Sequence, residues 1–227
     1  MRWRSVAIVV GVLFLVGDVG GILSEVVTGP SLGFFGAHDP KYLTKAAAND
    51  AMVIVGSLLL LLMGLSLAAI PIVLFPVLRK SSEVLAIGYV VFRGALETMV
   101  TIGMVVCGLV ILVVSQQYGA EGGSVLPSLG GLVWAVYDKL SIVLDIVFSL
   151  GALMLYTVLY RSRLVPRWLS AWGLVGAVLY LVGGGVGLVG IDGTGAQLIL
   201  GVQEIVMAVW LIVKGFSPQA LVSETSA

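Results

Sequence analysis

Seven charged residues of this chain stand where hydrocarbon is expected. Asp18, Arg93, Glu97, Asp138, Lys139, Asp145 and Glu204 each lie inside a long apolar run, and Gln203 adjoins the last of them. A charge at the centre of a bilayer costs about 2.5–3.5 kcal/mol on insertion scales, so each must face a partner or water. Their spacing groups them. Glu97 follows Arg93 by four residues, one turn along the same helical face, where an intrahelical ion pair can form. Asp138 and Asp145 are seven apart, with Ser141 and Ser149 near the same stripe, and Gln197 and Glu204 repeat that spacing.

The signs do not balance. Asp18, Glu97, Asp138, Asp145 and Glu204 are five acids against two bases, Arg93 and Lys139. In a low-dielectric core the surplus carboxylates must be protonated, hydrated or bound to a cation. Two readings stand side by side. One is a structural polar network that sets helix register; the other is a proton or cation relay, or a pocket for a small polar solute. Acid–base catalysis on a lipid or isoprenoid by Asp138 and Asp145 is an alternative. An accessory or scaffold role is another.

Other chemistries lack their residues. His38 is the single histidine and Cys107 the single cysteine. A zinc or di-iron site needs several such ligands, and a Ser–His pair could be built only through His38. No catalytic, cofactor-binding or metal-ligating set is therefore assigned, and no cofactor is expected. A neutral chain, with 12 basic and 12 acidic residues, offers no general attraction to nucleic acid.

The elements that must carry these charges follow from composition. An average soluble chain of this length would hold roughly 57 charged residues. This one has 24, with 59% hydrophobic residues and a mean hydropathy of +1.15. Its polar surface is too small for a water-soluble globule. A bilayer-spanning helix needs about 20 apolar residues, and segments at about 5–27, 51–78, 83–114, 131–160, 168–190 and 194–214 qualify. None shows the alternation of a barrel strand. The expected fold is all-α: a polytopic membrane protein built as one bundle of six transmembrane helices over residues 1–216, with a polar, disordered tail at 217–227.

Charge placement orients the bundle. Arg2, Arg4, Arg79, Lys80, Arg161, Arg163, Arg167 and Lys214 fall on one side and only Lys41 and Lys45 on the other, which puts both termini in the cytoplasm. Arg93 and Glu204 then lie ten residues into their spans from opposite faces, each about 15 Å deep. An Arg93–Glu204 bridge is allowed, as are bridges from Arg93 to Asp138 or Asp145. In the first outer loop, about 28–50, Pro30 and Pro40 are expected to break the chain, and residues 41–48 to form a short interfacial helix. Residues 119–124 read as a flexible turn. The pairs Gly17/Gly21 and Gly183/Gly187 permit close helix approach, either within the chain or in a homo-oligomer. Trp134, Trp168, Trp172 and Trp210 read as interfacial anchors. The partners expected are thus the lipid bilayer and a small solute or cation, with a homo-oligomer left open and nucleic acid excluded.

Three stretches carry a resemblance. Residues 161–173 (RSRLVPRWLSAWG), 203–216 (QEIVMAVWLIVKGF) and the pair 74–79 (LFPVLR) and 88–97 (GYVVFRGALE) resemble the bacterial family of domain of unknown function 4386, over about residues 5–217. The resemblance implies a prokaryotic six-helix inner-membrane protein. It brings no reaction and no catalytic residue, although Arg93, Glu97 and Glu204 lie within its motifs.

Overall fold

The computed structural model describes residues 3–34, 37–38, 41–121, 125–187 and 194–217. Apolar residues without a water-facing stripe are stable only as helices that satisfy their own backbone in lipid, and helices dominate. They are α1 (Trp3–Leu32), α2 (Tyr42–Ala48), α3 (Asp50–Leu78), α4 (Glu83–Tyr89), a π-helical segment (Val90–Leu96), α5 (Glu97–Glu121), α6 (Val125–Ser162), α7 (Arg167–Gly187) and α8 (Thr194–Val213). A two-residue antiparallel ladder, Gly33–Phe34 with Ala37–His38, follows α1. From α4 to α5 the chain is one continuous rod.

Among the described residues, five helices are long and apolar enough to cross a membrane: Trp3–Ser31, Asp50–Leu78, Glu83–Ala120, Val125–Ser162 and Arg167–Val186. The sixth expected span corresponds to α8, whose apolar stretch Leu198–Val213 is shorter. Pro30 does not break the chain as its residue type suggests. α1 runs through it to Leu32, because a proline two residues from a helix end removes little of the remaining hydrogen bonding. Residues 119–121, expected in a turn, are helical instead, since α5 continues to Glu121. Pro40, residues 122–124 and the tail from 218 onward lie outside the described residues. The helix expected before α3 is α2, separated from it by Asn49 alone.

Neighbour relations close a ring. α1 packs on α3 and α8, α3 on α5 and the π segment, α5 on α6, α6 on α7, and α7 on α8. Small residues allow the tightest of these contacts. A Cβ on Gly17 would stand 2.5 Å from Leu67 Cδ2, and one on Gly21 2.7 Å from Met63 Sδ. The Gly17/Gly21 face is thus occupied by α3 of the same chain.

Polarity runs opposite to that of a soluble protein. Ile72 and Met99 are 66% and 68% exposed, whereas Arg93 is 2% exposed and Gln203 fully buried. Contiguous exposed apolar surface on every long helix is what lipid solvation requires. The chain is a membrane-embedded all-α protein with Arg93, Glu97 and Glu204 turned inward.

Candidate functional site

The site is centred on Arg93, the middle residue of the π segment. The Glu97 amide bonds the Phe92 carbonyl, five residues back, which widens the turn. Such single π turns often mark functional positions. Gly151 of α6 lets the helices touch here: a Cβ on it would meet the Arg93 amide nitrogen at 3.3 Å. Behind the segment, Pro71 of α3 fills the space beside Gly94.

Arg93 holds two carboxylates from two helices. Its Nη1 pairs with Glu97 at 3.1 Å, and its Nη2 with Glu204 Oε1 of α8 at 3.3 Å. Of the bridges the sequence allows Arg93, to Glu204, Asp138 or Asp145, the one to Glu204 is present, and the Arg93–Glu97 pair forms at its four-residue spacing. The guanidinium carbon also lies 4.5 Å from the Phe148 ring centre and 6.0 Å from that of Phe14. An arginine over an aromatic face gains cation–π attraction that grows when water is absent.

Asp18 of α1 brings a third carboxylate within electrostatic range of both Arg93 and Glu204. Its Oδ2 is out of solvent and has no hydrogen-bond partner among the described residues. Arg93 Nε likewise has no hydrogen-bond partner among the described residues, nor has the buried hydroxyl of Tyr89, which stands close to the same guanidinium. Buried polar groups in native proteins are nearly always paired, so three unsatisfied atoms around one cation call for an explanation. Beside them the network is complete: the Tyr156 hydroxyl donates to Gln203 Oε1 at 2.6 Å, and Gln203 Nε2 donates to the Leu169 carbonyl at 3.1 Å.

The remaining expected residues lie apart. Asp145 of α6 pairs with Tyr180 of α7, whose ring packs edge-on against Phe148 at 4.8 Å, and Phe148 in turn lies against the arginine. Asp138, Glu25 and Tyr137 interact electrostatically in a second group, toward the end where Tyr42 and Trp134 pack. Lys139 does not join a buried network: it is exposed on the outer face of α6, beside Ala135, Val136 and Val143. The stripe of Asp138 points inward, and one residue along a helix turns the side chain by about 100°, which carries Lys139 out of it. Among the described residues no three His, Cys, Asp or Glu side chains come together to hold a metal ion.

Sequence reasoning missed the aromatic lining and the π turn. Part was legible: Tyr89, Arg93 and Glu97 stand four apart, and Asp145, Phe148, Ser149, Ala152 and Tyr156 recur at helical spacing. The π turn has no comparable signal, because Val90–Leu96 reads as ordinary apolar helix.

The family model described as Domain of unknown function (DUF4386) matches residues 9–215, and the chain belongs to that family. The match contains Asp18, Arg93, Glu97, Gln203 and Glu204. No curated protein and no solved structure matches the chain.

Proposed function

We propose that this family member moves protons, or a small cation in their place, through the Asp18–Arg93–Glu204 cluster. The observation that supports it is the unpartnered Asp18 Oδ2 beside a shared guanidinium with a spare Nε donor. One cation among three carboxylates leaves two negative charges uncompensated, and a dry interior does not tolerate them. Taking up a proton relieves that excess. Glu97 stays with Arg93 on the same helix turn, while Glu204 and Asp18 approach from different helices and compete for it. When Glu204 takes a proton, its ion pair weakens and the guanidinium turns toward Asp18; loss of the proton reverses the step.

We further place the chain in the inner membrane of a bacterium with both termini cytoplasmic. Arg4, near the start of α1, donates to the carbonyls of Leu211, Ile212 and Val213 at the end of α8, which supports both ends lying on one side. The basic excess supports that side being the cytoplasm.

Proteoliposomes holding a trapped pH-sensitive dye test the relay under an imposed pH gradient. Wild-type protein should dissipate the gradient faster than empty vesicles, and Asp18→Asn or Glu204→Gln should remove most of the difference. Wild-type flux equal to that of empty vesicles, or unchanged flux in both variants, leaves a purely structural network.

A further inference from the structure

The α6–α7 hairpin and the end of α8 build a second polar feature that shares no residue with the arginine cluster. Arg163 adopts a left-handed backbone (φ 57°), and Gly215 does the same (φ 75°). These two turns let the Ser217 amide bond the Leu164 carbonyl at 2.8 Å, which clamps the chain after α8 onto the hairpin. Between them is a cavity of about 490 Å³, lined among others by Arg163, Arg167, Trp210, Lys214, Phe216 and Ser217.

Its lining carries three cationic side chains and no acid. None of the three pairs with a carboxylate among the described residues; Arg167 instead lies 5.5 Å over the Tyr160 ring, which leaves its hydrogen-bond donors free. Trp210 is held edge-on against Trp168 at 6.3 Å. Immediately along α8 runs an apolar groove of about 330 Å³, formed by Ile205, Val206, Val209 and Val213, which shares Trp210 and Lys214 with the basic cavity.

A cationic pocket that opens directly into an apolar groove matches one kind of molecule. We propose that this is a binding site for an anionic phospholipid. The phosphate and its glycerol linkage sit among Arg163, Arg167 and Lys214, and an acyl chain lies along α8 past Trp210. Basic pockets between transmembrane helices take acidic head groups, and arginine's planar fork suits phosphate oxygens. Free phosphate would use the basic half alone. An apolar ligand would use only the groove.

Native mass spectrometry of the full chain in neutral detergent tests the site, with phosphatidylglycerol titrated against phosphatidylcholine and inorganic phosphate as competitor. Phosphatidylglycerol should be retained at least tenfold better than phosphatidylcholine. Each lost base should weaken it about fivefold, so that Arg163→Gln/Arg167→Gln/Lys214→Gln loses roughly a hundredfold. The single Lys214→Gln variant, on an exposed side chain, gives the same reading if the triple variant fails to fold. Arg79→Gln/Lys80→Gln removes two positive charges from the α3–α4 turn, twice the loss in Lys214→Gln, and should bind as wild type. Equal retention of both lipids, unchanged binding in Lys214→Gln, or displacement of the lipid by millimolar inorganic phosphate would each overturn the proposal.

Discussion

Replacing Arg93 by Met removes the cation but keeps most of the side chain's length and volume. At an effective dielectric of about 20, unit charges at the observed 3.1 and 3.3 Å attract by roughly 5 kcal/mol each before desolvation. Desolvation offsets most of that gain, and the measurable quantity is the cost of stranding the partners. For a buried pair broken on one side, that cost is about 3–5 kcal/mol. Here Glu97, Glu204 and Asp18 are all stranded, so Arg93→Met should sit at the upper end. In a domain of this size such a loss lowers the melting temperature by about 6–20 °C. The decisive comparison adds Asp18→Asn, Glu97→Gln and Glu204→Gln to Arg93→Met. Neutralising every partner should restore at least half of the lost stability, because a buried charge cluster replaced as a whole is close to neutral. Thermal unfolding in detergent micelles, followed by tryptophan fluorescence, reads both variants. A shift under 2 °C for Arg93→Met, or a combined variant no more stable than the single one, would refute the reasoning.

Further outcomes follow from individual contacts. Tyr156→Phe leaves Gln203 Oε1 without its donor and should cost about 1–3 kcal/mol in the same unfolding assay. Gly17→Ala drives a methyl group into Leu67 and should cost about 1–3 kcal/mol; Gly185→Ala meets nothing within 4 Å and should be neutral or stabilising by up to about 1 kcal/mol. Phe148→Leu removes the ring 4.5 Å from the guanidinium and should cost about 2 kcal/mol more in wild type than in the Arg93→Met background, as a double-mutant cycle would show. If the proposed orientation holds, reporter fusions after Ser217 should be active only with a cytoplasmic reporter, because the basic excess marks the side on which Arg4 ties the start of α1 to the end of α8.

Much of the architecture was legible because its physics is local. Each run of apolar residues long enough to span lipid had to be a helix, and the observed ends fall within a few residues of the expected ones for α3, α7 and α8. Where boundaries moved, tertiary contacts or helix-end tolerance intervened. α1 passes through Pro30, α5 reaches Glu121, and α6 begins at Val125. The cluster was half legible. Depth arithmetic allowed Arg93 three acidic partners on other helices, and only the neighbour relations of the ring select Glu204. Lys139 shows the converse failure: a charge inside an apolar run need not be buried, since facing direction depends on which neighbours cover the helix.

The sequence by itself determined that the chain is helical and membrane-embedded, and that acids outnumber bases inside the spans, because burial and charge are properties of composition along each helix. Tertiary structure alone decided which acids from other helices gather around the Arg93 guanidinium. Asp18 and Glu204 come from α1 and α8, far in the chain from Arg93, and the ring closed by those two helices brings them to it. It also decided that Arg93 sits on a π turn, where close approach of Gly151 admits the α6 backbone, and that Asp18 and Arg93 keep unused hydrogen-bonding atoms. Pairing across helices depends on rotation and packing at the scale of an ångström, and one-dimensional spacing does not encode that.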